Sequence, residues 1–179
     1  MLNDKRLKNA ETYDEFLPPS HDHYVLYQHH YQRAVVSEED KAFLNRFDGL
    51  YVAVLTEVWC GDSIAIIPVV KKWIEDKAHV HMRILQRDAN LDIMDQYLTR
   101  GGRAIPKIIF FDSDFTEIGN WGPRPEQAQN IYELHRPKIE TGEIDKATVH
   151  QKIRRFYAKD RGRSIIAEQK QLLETAAKE

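Results

Sequence analysis

The sequence predicts an α/β fold that carries helical extensions at both ends. Between residues 50 and 135, apolar runs of strand length alternate with longer runs of helical period. The flanking residues, 1–47 and 137–179, show helical periodicity alone. No linker rich in glycine, serine or proline separates the three zones, and 179 residues can bury one core. We therefore expect a single domain over residues 1–179, with its strands in a core of residues 48–136.

The N-terminal extension is predicted to consist of amphipathic helices. Aromatic and aliphatic residues recur at helical spacing along it, and Pro18 and Pro19 interrupt the pattern. Ser37 is followed three residues later by Asp40, which is typical of a capping box. We expect the last helix of this extension to begin directly after Ser37.

The core is predicted to contain four strands and three helices. In chain order these are strand 51–57, helix 61–76, strand 81–87, helix 91–99, strand 107–112, strand 115–121 and helix 125–136. Asp112, Ser113 and Asp114 are typical turn residues, so they should join the last two strands as a tight hairpin.

The C-terminal extension is locally basic, and Phe156 and Tyr157 stand within its run of lysines and arginines. Such a pattern can mark a nucleic-acid surface. An amphipathic helix that packs its aromatic residues on the core and leaves its basic side chains in water explains it more simply. The net charge of the whole chain is −2, which also argues against nucleic acid or an anionic membrane as a partner.

The cellular compartment is predicted from what the chain lacks. Residues 1–6 are not followed by the apolar segment of a secretory signal, and no stretch approaches the roughly 20 apolar residues that cross a bilayer. One cysteine cannot form an internal disulfide. We therefore expect a protein of the reducing cytoplasm.

The single cysteine, Cys60, lies where the first predicted strand gives way to the first core helix, and we expect it to be partly exposed on the first turn of that helix. A helix N-terminus offers unpaired N–H groups and a partial positive charge, both of which stabilise a thiolate. The carboxylate of Asp62 opposes this effect, because it disfavours a second negative charge nearby. Cys60 is the first candidate nucleophile, and the balance between the helix terminus and Asp62 stays open at this point.

Several motifs, in this order and at these intervals, resemble the thioredoxin-like family, and in particular its bacterial members. They are Trp59-Cys60-Gly61 for the active-site motif, Pro68 in the active-site helix, Asp88 and Asn90 after the second strand, Ile105-Pro106 for the cis-proline, and Trp121-Gly122-Pro123 for a loop of the substrate groove. The resemblance covers about residues 50–135. It implies the thioredoxin fold, a βαβαββα core around a mixed four-stranded sheet.

The chain departs from the family pattern at two positions that matter for redox chemistry. Ser63 stands where dithiol thioredoxins have their second cysteine, so an outside thiol must resolve any mixed disulfide. Val54 replaces the buried carboxylate that serves proton transfer in thioredoxins. Glu57 lies nearer to Cys60, either as a solvated carboxylate or as a proton acceptor. The resemblance therefore implies monothiol thiol–disulfide exchange with a protein disulfide or a low-molecular-weight thiol.

The resemblance also implies roles for individual residues. Cys60 is the nucleophile, and Ser63 can hydrogen-bond its thiolate. The residues expected to bind substrate are Trp59, Gly61, Asp62, Ile105, Pro106, Trp121 and Gly122. No cofactor and no metal are predicted, because the four histidines at positions 21, 23, 29 and 30 suit a helix face better than a zinc site.

Two alternatives to exchange stay open. The first is a binding module that keeps the groove but has lost turnover, since the second cysteine is absent. The second resembles monothiol glutaredoxins, which bind glutathione and an iron–sulfur cluster through Cys-Gly-Phe-Ser; here Asp62 replaces the phenylalanine, and Ala104-Ile105-Pro106 replaces their Thr-Val-Pro. The basic residues that could hold glutathione carboxylates are Arg87, Arg103, Lys107 and Arg124.

Overall fold

The computed structural model describes residues 2–176, and in them a four-stranded sheet forms the centre of the fold. The strands are β1 (Leu50–Thr56), β2 (Val80–Gln86), β3 (Lys107–Phe111) and β4 (Glu117–Trp121), in the spatial order β2-β1-β3-β4. Strand β1 pairs parallel with β2 and antiparallel with β3, and β3 pairs antiparallel with β4. This mixed sheet confirms the predicted fold class.

Nine α-helices accompany the sheet within the described residues. They are α1 (Asp4–Lys8), α2 (Tyr13–Phe16), α3 (Tyr24–Arg33), α4 (Glu38–Phe43), α5 (Gly61–Ile74), α6 (Leu91–Met94), α7 (Glu126–Glu140), α8 (Lys146–Asp160) and α9 (Arg163–Ala176). The predicted capping box is confirmed, because Ser37 and Asp40 bond each other's backbone N–H groups at the start of α4. No helix of residues 2–176 combines the length and the apolar character that crossing a membrane requires.

Each face of the sheet buries its own apolar cluster. Val52 and Val54 of β1 point to one face, where α5 and apolar residues of α3, α8 and α9 pack. Ala53 and Leu55 point to the opposite face, where Leu7 of α1 and residues of α6 pack. This alternation follows from the two-residue period of a strand. Both terminal extensions therefore supply side chains to the same cores as the predicted thioredoxin-like elements.

Several predicted elements are shorter than the sequence suggested, and for two of them the structure shows the cause. Helix 91–99 ends at Met94, because Tyr97 turns towards β4, where its hydroxyl donates to Glu117 at 2.7 Å. The last strand begins at Glu117 rather than at residue 115, because Phe115 has a left-handed backbone (φ 62°). The carboxylate of Asp112 accepts the N–H groups of two later residues, which makes the turn longer than a tight hairpin.

The stability of the protein should depend on pH through His30 of α3. His30 borders a small cavity with Val69 of α5 and Gly162 between α8 and α9. Burial, reinforced by His29 and Arg33, lowers the pKa of His30 from 6.5 to about 4. Between pH 6.5 and 4 the unfolded chain therefore binds a proton that the folded protein does not, and stability is lost as the pH falls through this window.

The expected contribution of His30 over that window is about 1–2 kcal/mol, after allowance for solvent at a partly exposed site. Denaturant unfolding of wild type and His30→Gln across the window measures it, because the variant should lose less stability than the wild type. His29→Gln changes an exposed neighbour and should keep most of the wild-type pH dependence, because burial is the larger cause of the His30 shift. Equal pH profiles for the two variants would contradict this assignment.

Candidate active site

Cys60 is the N-cap residue of α5, directly after the segment that leaves β1. Its side chain is buried, with 8% of the residue exposed, and its thiol donates a hydrogen bond to the carbonyl oxygen of Ile105 at 3.5 Å. The Ile105–Pro106 peptide bond is cis. The sequence predicted a partly exposed thiol on the first turn of the helix, whereas the structure places the sulfur deeper, against the loop before β3.

Within the described residues, Ser63 makes no hydrogen bond to the Cys60 thiol. Its side chain is fully buried, and its hydroxyl accepts a hydrogen bond from the hydroxyl of Thr56 at 2.6 Å. This pair ties the end of β1 to the first turn of α5. The expected bond from Ser63 to Cys60 is therefore replaced by a contact beneath the helix.

Asp62 is the centre of a buried polar network that spans three parts of the chain. Its Oδ2 accepts from Nε and Nη2 of Arg124 at 2.8 and 2.7 Å, and its Oδ1 accepts from the hydroxyl of Tyr157 at 2.8 Å. The side chains of Asp62 and Arg124 are only 12% and 14% exposed. The negative charge that was expected to oppose a Cys60 thiolate is thus compensated by Arg124.

The protonation states of this network follow from its surroundings. Burial disfavours the charge of Arg124, but the charge and hydrogen bonds of Asp62 outweigh it and raise the pKa of Arg124. Burial, together with the charge of Asp62, raises the pKa of Tyr157 well above its usual value. At neutral pH the guanidinium therefore stays charged and the phenol stays protonated, so both remain donors to Asp62.

A cavity of about 310 Å³ opens beside Cys60. Five of the residues predicted from sequence line it, namely Trp59, Cys60, Gly61, Asp62 and Ile105. Trp59 is 56% exposed, and the guanidinium of Arg87 lies 5.5 Å from its ring centroid, within the range of a cation–π contact. The predicted thiol and its immediate neighbours therefore share one cleft.

Three residues predicted to bind substrate, Pro106, Trp121 and Gly122, are not part of the cavity lining. Trp121 is buried instead, and its indole N–H donates to Glu168 of α9 at 2.8 Å. Helix α9 packs on β4 and covers Trp121, whereas Pro123 of the same predicted loop does line the cavity. Gly122 lies against the carbonyl group of Pro106.

Glu57 is buried, which rules out the solvated carboxylate of the sequence interpretation. Its Oε1 accepts the backbone N–H of Asp88 at 2.9 Å and so joins the end of β1 to the loop after β2. The alternative role as a proton acceptor stays a prediction.

The basic residues considered for glutathione divide into two groups. Arg87, Arg103 and Arg124 line the cavity. Lys107 does not, because its side chain is buried and donates to the hydroxyl of Thr99 at 3.1 Å and to the carbonyl of Gly122 at 3.0 Å. Burial lowers the pKa of Lys107. Its role is to hold the loops around β3 together.

Helix α8 forms one wall of the cavity, a contribution that the sequence interpretation missed. The residues it supplies are Lys146, His150, Ile153, Arg154 and Tyr157. Residues spaced by three or four lie on one face of a helix, so the spacing of these five was a usable signal. The interpretation of the basic side chains of this helix as simply water-facing is incomplete, because Lys146 and Arg154 are exposed and also border the cleft.

The histidines near the N-terminus make local contacts in the described part of the chain. Within residues 2–176, no cluster of three or more histidine, cysteine, aspartate and glutamate side chains is arranged to hold a metal ion. The ring Nδ1 of His21 accepts the backbone N–H of His23 at 3.1 Å, which is a local turn contact.

Comparison with known proteins identifies the relatives of this chain. A family model described as thioredoxin matches residues 10–142. A crystal structure of a protein of unknown function from Pseudomonas aeruginosa is 16% identical, with a TM-score of 0.74, and the match covers 98% of this chain and 99% of that one. A crystal structure of an HIV epitope scaffold is 17% identical, with a TM-score of 0.62, and the match covers 70% of this chain and 79% of that one. The search among curated proteins found no match. At these identities the structural matches show a shared fold, which in the first case includes both helical extensions.

Proposed function

The chain belongs to the thioredoxin family, and we propose that it performs thiol–disulfide exchange with Cys60 as its one nucleophile. The observation that carries this proposal is the position of the thiol, at the N-terminus of α5 and on the wall of a cavity of about 310 Å³. The helix terminus favours the thiolate. Arg124 compensates the charge of Asp62 that would otherwise oppose it.

The reaction consists of two exchanges that leave Cys60 unchanged overall. In the first, the Cys60 thiolate attacks one sulfur of a disulfide, a new S–S bond forms, and the other sulfur leaves as a thiolate that takes up a proton. In the second, an external thiolate attacks the mixed disulfide at the substrate sulfur, forms a new disulfide with it and releases the Cys60 thiolate. The net reaction exchanges one half of the original disulfide for the external thiol, which is needed because no second cysteine is present in the chain.

A small disulfide fits this site better than a protein disulfide. The cavity volume lies at the low end of the roughly 300–1,000 Å³ typical of small-molecule sites. Ile105, whose backbone would pair with an extended peptide, is buried, and its carbonyl oxygen already accepts from the Cys60 thiol. We also propose that the protein works in the reducing cytoplasm, because the external thiol that resolves the mixed disulfide must itself be kept reduced.

A binding module without turnover is the second candidate, and the burial and hydrogen bonding of the thiol favour it. In that case Cys60→Ser would retain partner binding, and the wild type would show no exchange. The iron–sulfur alternative is weaker, because a cluster shared between two subunits needs its cysteine sulfur at the surface, whereas Cys60 is 8% exposed.

The exchange proposal is tested with the folded protein and dithiodipyridine, a small neutral disulfide. Intact-protein mass should increase by one pyridylthio group at neutral pH and return to its starting value after a thiol is added. Cys60→Ser should form no adduct. Ser63→Ala should still form it, because the Ser63 hydroxyl pairs with Thr56. Labelling of the denatured chain but not of the folded chain would overturn exchange in favour of the binding module.

A further inference from the structure

The cavity beside Cys60 has an excess of positive charge. Five arginine and lysine side chains line it: Arg87, Arg103, Arg124, Lys146 and Arg154. Asp62 is the one carboxylate in the same lining, and it is held by Arg124. The whole chain has a net charge of −2, so this local excess is a property of the cleft and not of the overall composition.

Carboxylates just outside the cavity compensate two further cations. Arg87 pairs with Asp88 at 2.8 Å, and Arg103 pairs with Asp95 at 2.6 Å. Lys146 and Arg154 of α8 have no ion pair or hydrogen bond of their side chains with any other residue in the range 2–176. Two positive charges on one wall of the cleft are therefore left for a ligand.

The third polar residue on this wall, His150, lies between those two cations along α8. Its Nε2 is buried and has no hydrogen-bond partner among the described residues. Buried polar atoms are paired in the large majority of cases, so an unpaired Nε2 on a residue that lines the cavity indicates a missing partner. Burial, together with the charge of Arg124, lowers the pKa of His150, which leaves a neutral ring with one N–H to donate.

We propose that the substrate is a small acidic disulfide, one that carries at least two carboxylate groups, held by Lys146, His150 and Arg154 while its sulfur faces Cys60. This inference rests on the proposed exchange function and names its substrate class. Charge-assisted hydrogen bonds between these side chains and carboxylates are roughly twice as strong as neutral ones. The bonds made and broken at sulfur are those of the exchange already described, and the carboxylates take no part in them.

The test compares three small disulfides that differ in charge. They are dithiobis(nitrobenzoate) with two carboxylates, neutral dithiodipyridine, and cystamine with two ammonium groups. The rate of mixed-disulfide formation at Cys60 is measured for the folded protein and divided by the rate for the denatured chain, which removes the intrinsic reactivity of each reagent. The corrected rate should be highest for the acidic disulfide and lowest for cystamine. Added salt should reduce the difference, because it screens exposed charges.

Neighbouring residues on α8 offer a matched pair of variants. Arg154→Gln should slow the reaction of the acidic disulfide about threefold, and its combination with Lys146→Gln about tenfold, as expected for loss of partly screened attractions. Both variants should slow dithiodipyridine less than the acidic disulfide, because that reagent has no charge to attract and loses only the support that the cations give to the thiolate; the ratio of the two rates is therefore the measured quantity. Arg155→Gln removes an exposed cation that does not line the cavity and should leave both rates unchanged. All three side chains are exposed, so the variants should fold.

Equal corrected rates for the three disulfides would overturn the acidic-substrate inference while leaving exchange intact. Equal effects of Arg154→Gln and Arg155→Gln would do the same, because they would indicate a general charge effect. Failure of folded wild-type protein to react with any of the three reagents would overturn both proposals together.

Discussion

Replacing Asp62 with asparagine is expected to lower the free energy of unfolding by about 3 kcal/mol, because it leaves a largely buried guanidinium without its counter-charge. The hydrogen bonds from Arg124 and Tyr157 both end on this carboxylate. Asparagine keeps the shape but not the charge, so Arg124 would lose the interaction that offsets its desolvation.

A double-mutant cycle distinguishes this coupling from a general effect of the site. Asp62→Asn, Arg124→Gln and the combination of both are compared by denaturant unfolding. The double variant should lose less stability than the sum of the two single variants, because no unpaired charge then remains. Additive losses would contradict the proposed network.

The ion pair of Arg103 and Asp95 is a suitable control. It is bidentate, like a strong pair, but both side chains are 48% exposed. Asp95→Asn should therefore lower the free energy of unfolding far less than Asp62→Asn does, because solvent screens an exposed pair. A similar loss at both sites would mean that burial is not the cause of the large effect at Asp62.

The same Asp62 variant should raise the reactivity of the thiol while it lowers stability. It removes a negative charge two residues from Cys60 and leaves the positive charge of Arg124 uncompensated, and both changes favour a thiolate. Alkylation of the folded variant at neutral pH should be faster than that of wild type. Slower alkylation would mean that Asp62 supports the site chiefly by holding α8 in place.

The second large effect is expected at Gly122, where alanine should lower the free energy of unfolding by about 3 kcal/mol or prevent folding. The backbone at Gly122 has φ 116°, which side chains rarely adopt, and an added Cβ would lie 2.3 Å from the carbonyl oxygen of Pro106. A backbone carbonyl beside a buried strand cannot move aside as the end of a flexible side chain would.

Gly101→Ala separates the two causes of the Gly122 effect. Gly101 also has a positive φ, 77°, but an added Cβ there would meet nothing within 4 Å. Its substitution should lower stability by about 1 kcal/mol, the cost of the left-handed backbone alone. Equal losses at Gly101 and Gly122, measured by denaturant unfolding, would show that the close approach to Pro106 contributes nothing.

Local patterns in the sequence were sufficient for much of the fold. Alternation of apolar runs placed the four strands, and the Ser37 and Asp40 pair placed the start of α4. Prediction failed for one element because of a distant contact and for another because of a local turn. Tyr97 leaves the helical path to reach Glu117, and Phe115 adopts a left-handed conformation within the turn before β4. Periodicity reports which face of an element is buried, but not where a neighbour ends it.

The candidate site divides in the same way between sequence and tertiary structure. The sequence by itself determined that Cys60 lies at the start of a helix after a buried strand, because both elements and their junction are local features. The tertiary structure alone decided that Arg124 and Tyr157, which lie 62 and 95 residues further along the chain, compensate Asp62. Only the tertiary structure places α8 along one side of the cavity and α9 over Trp121. Local periodicity determines which side chains turn inwards, whereas the charges and surfaces that surround them depend on how remote helices pack against the sheet.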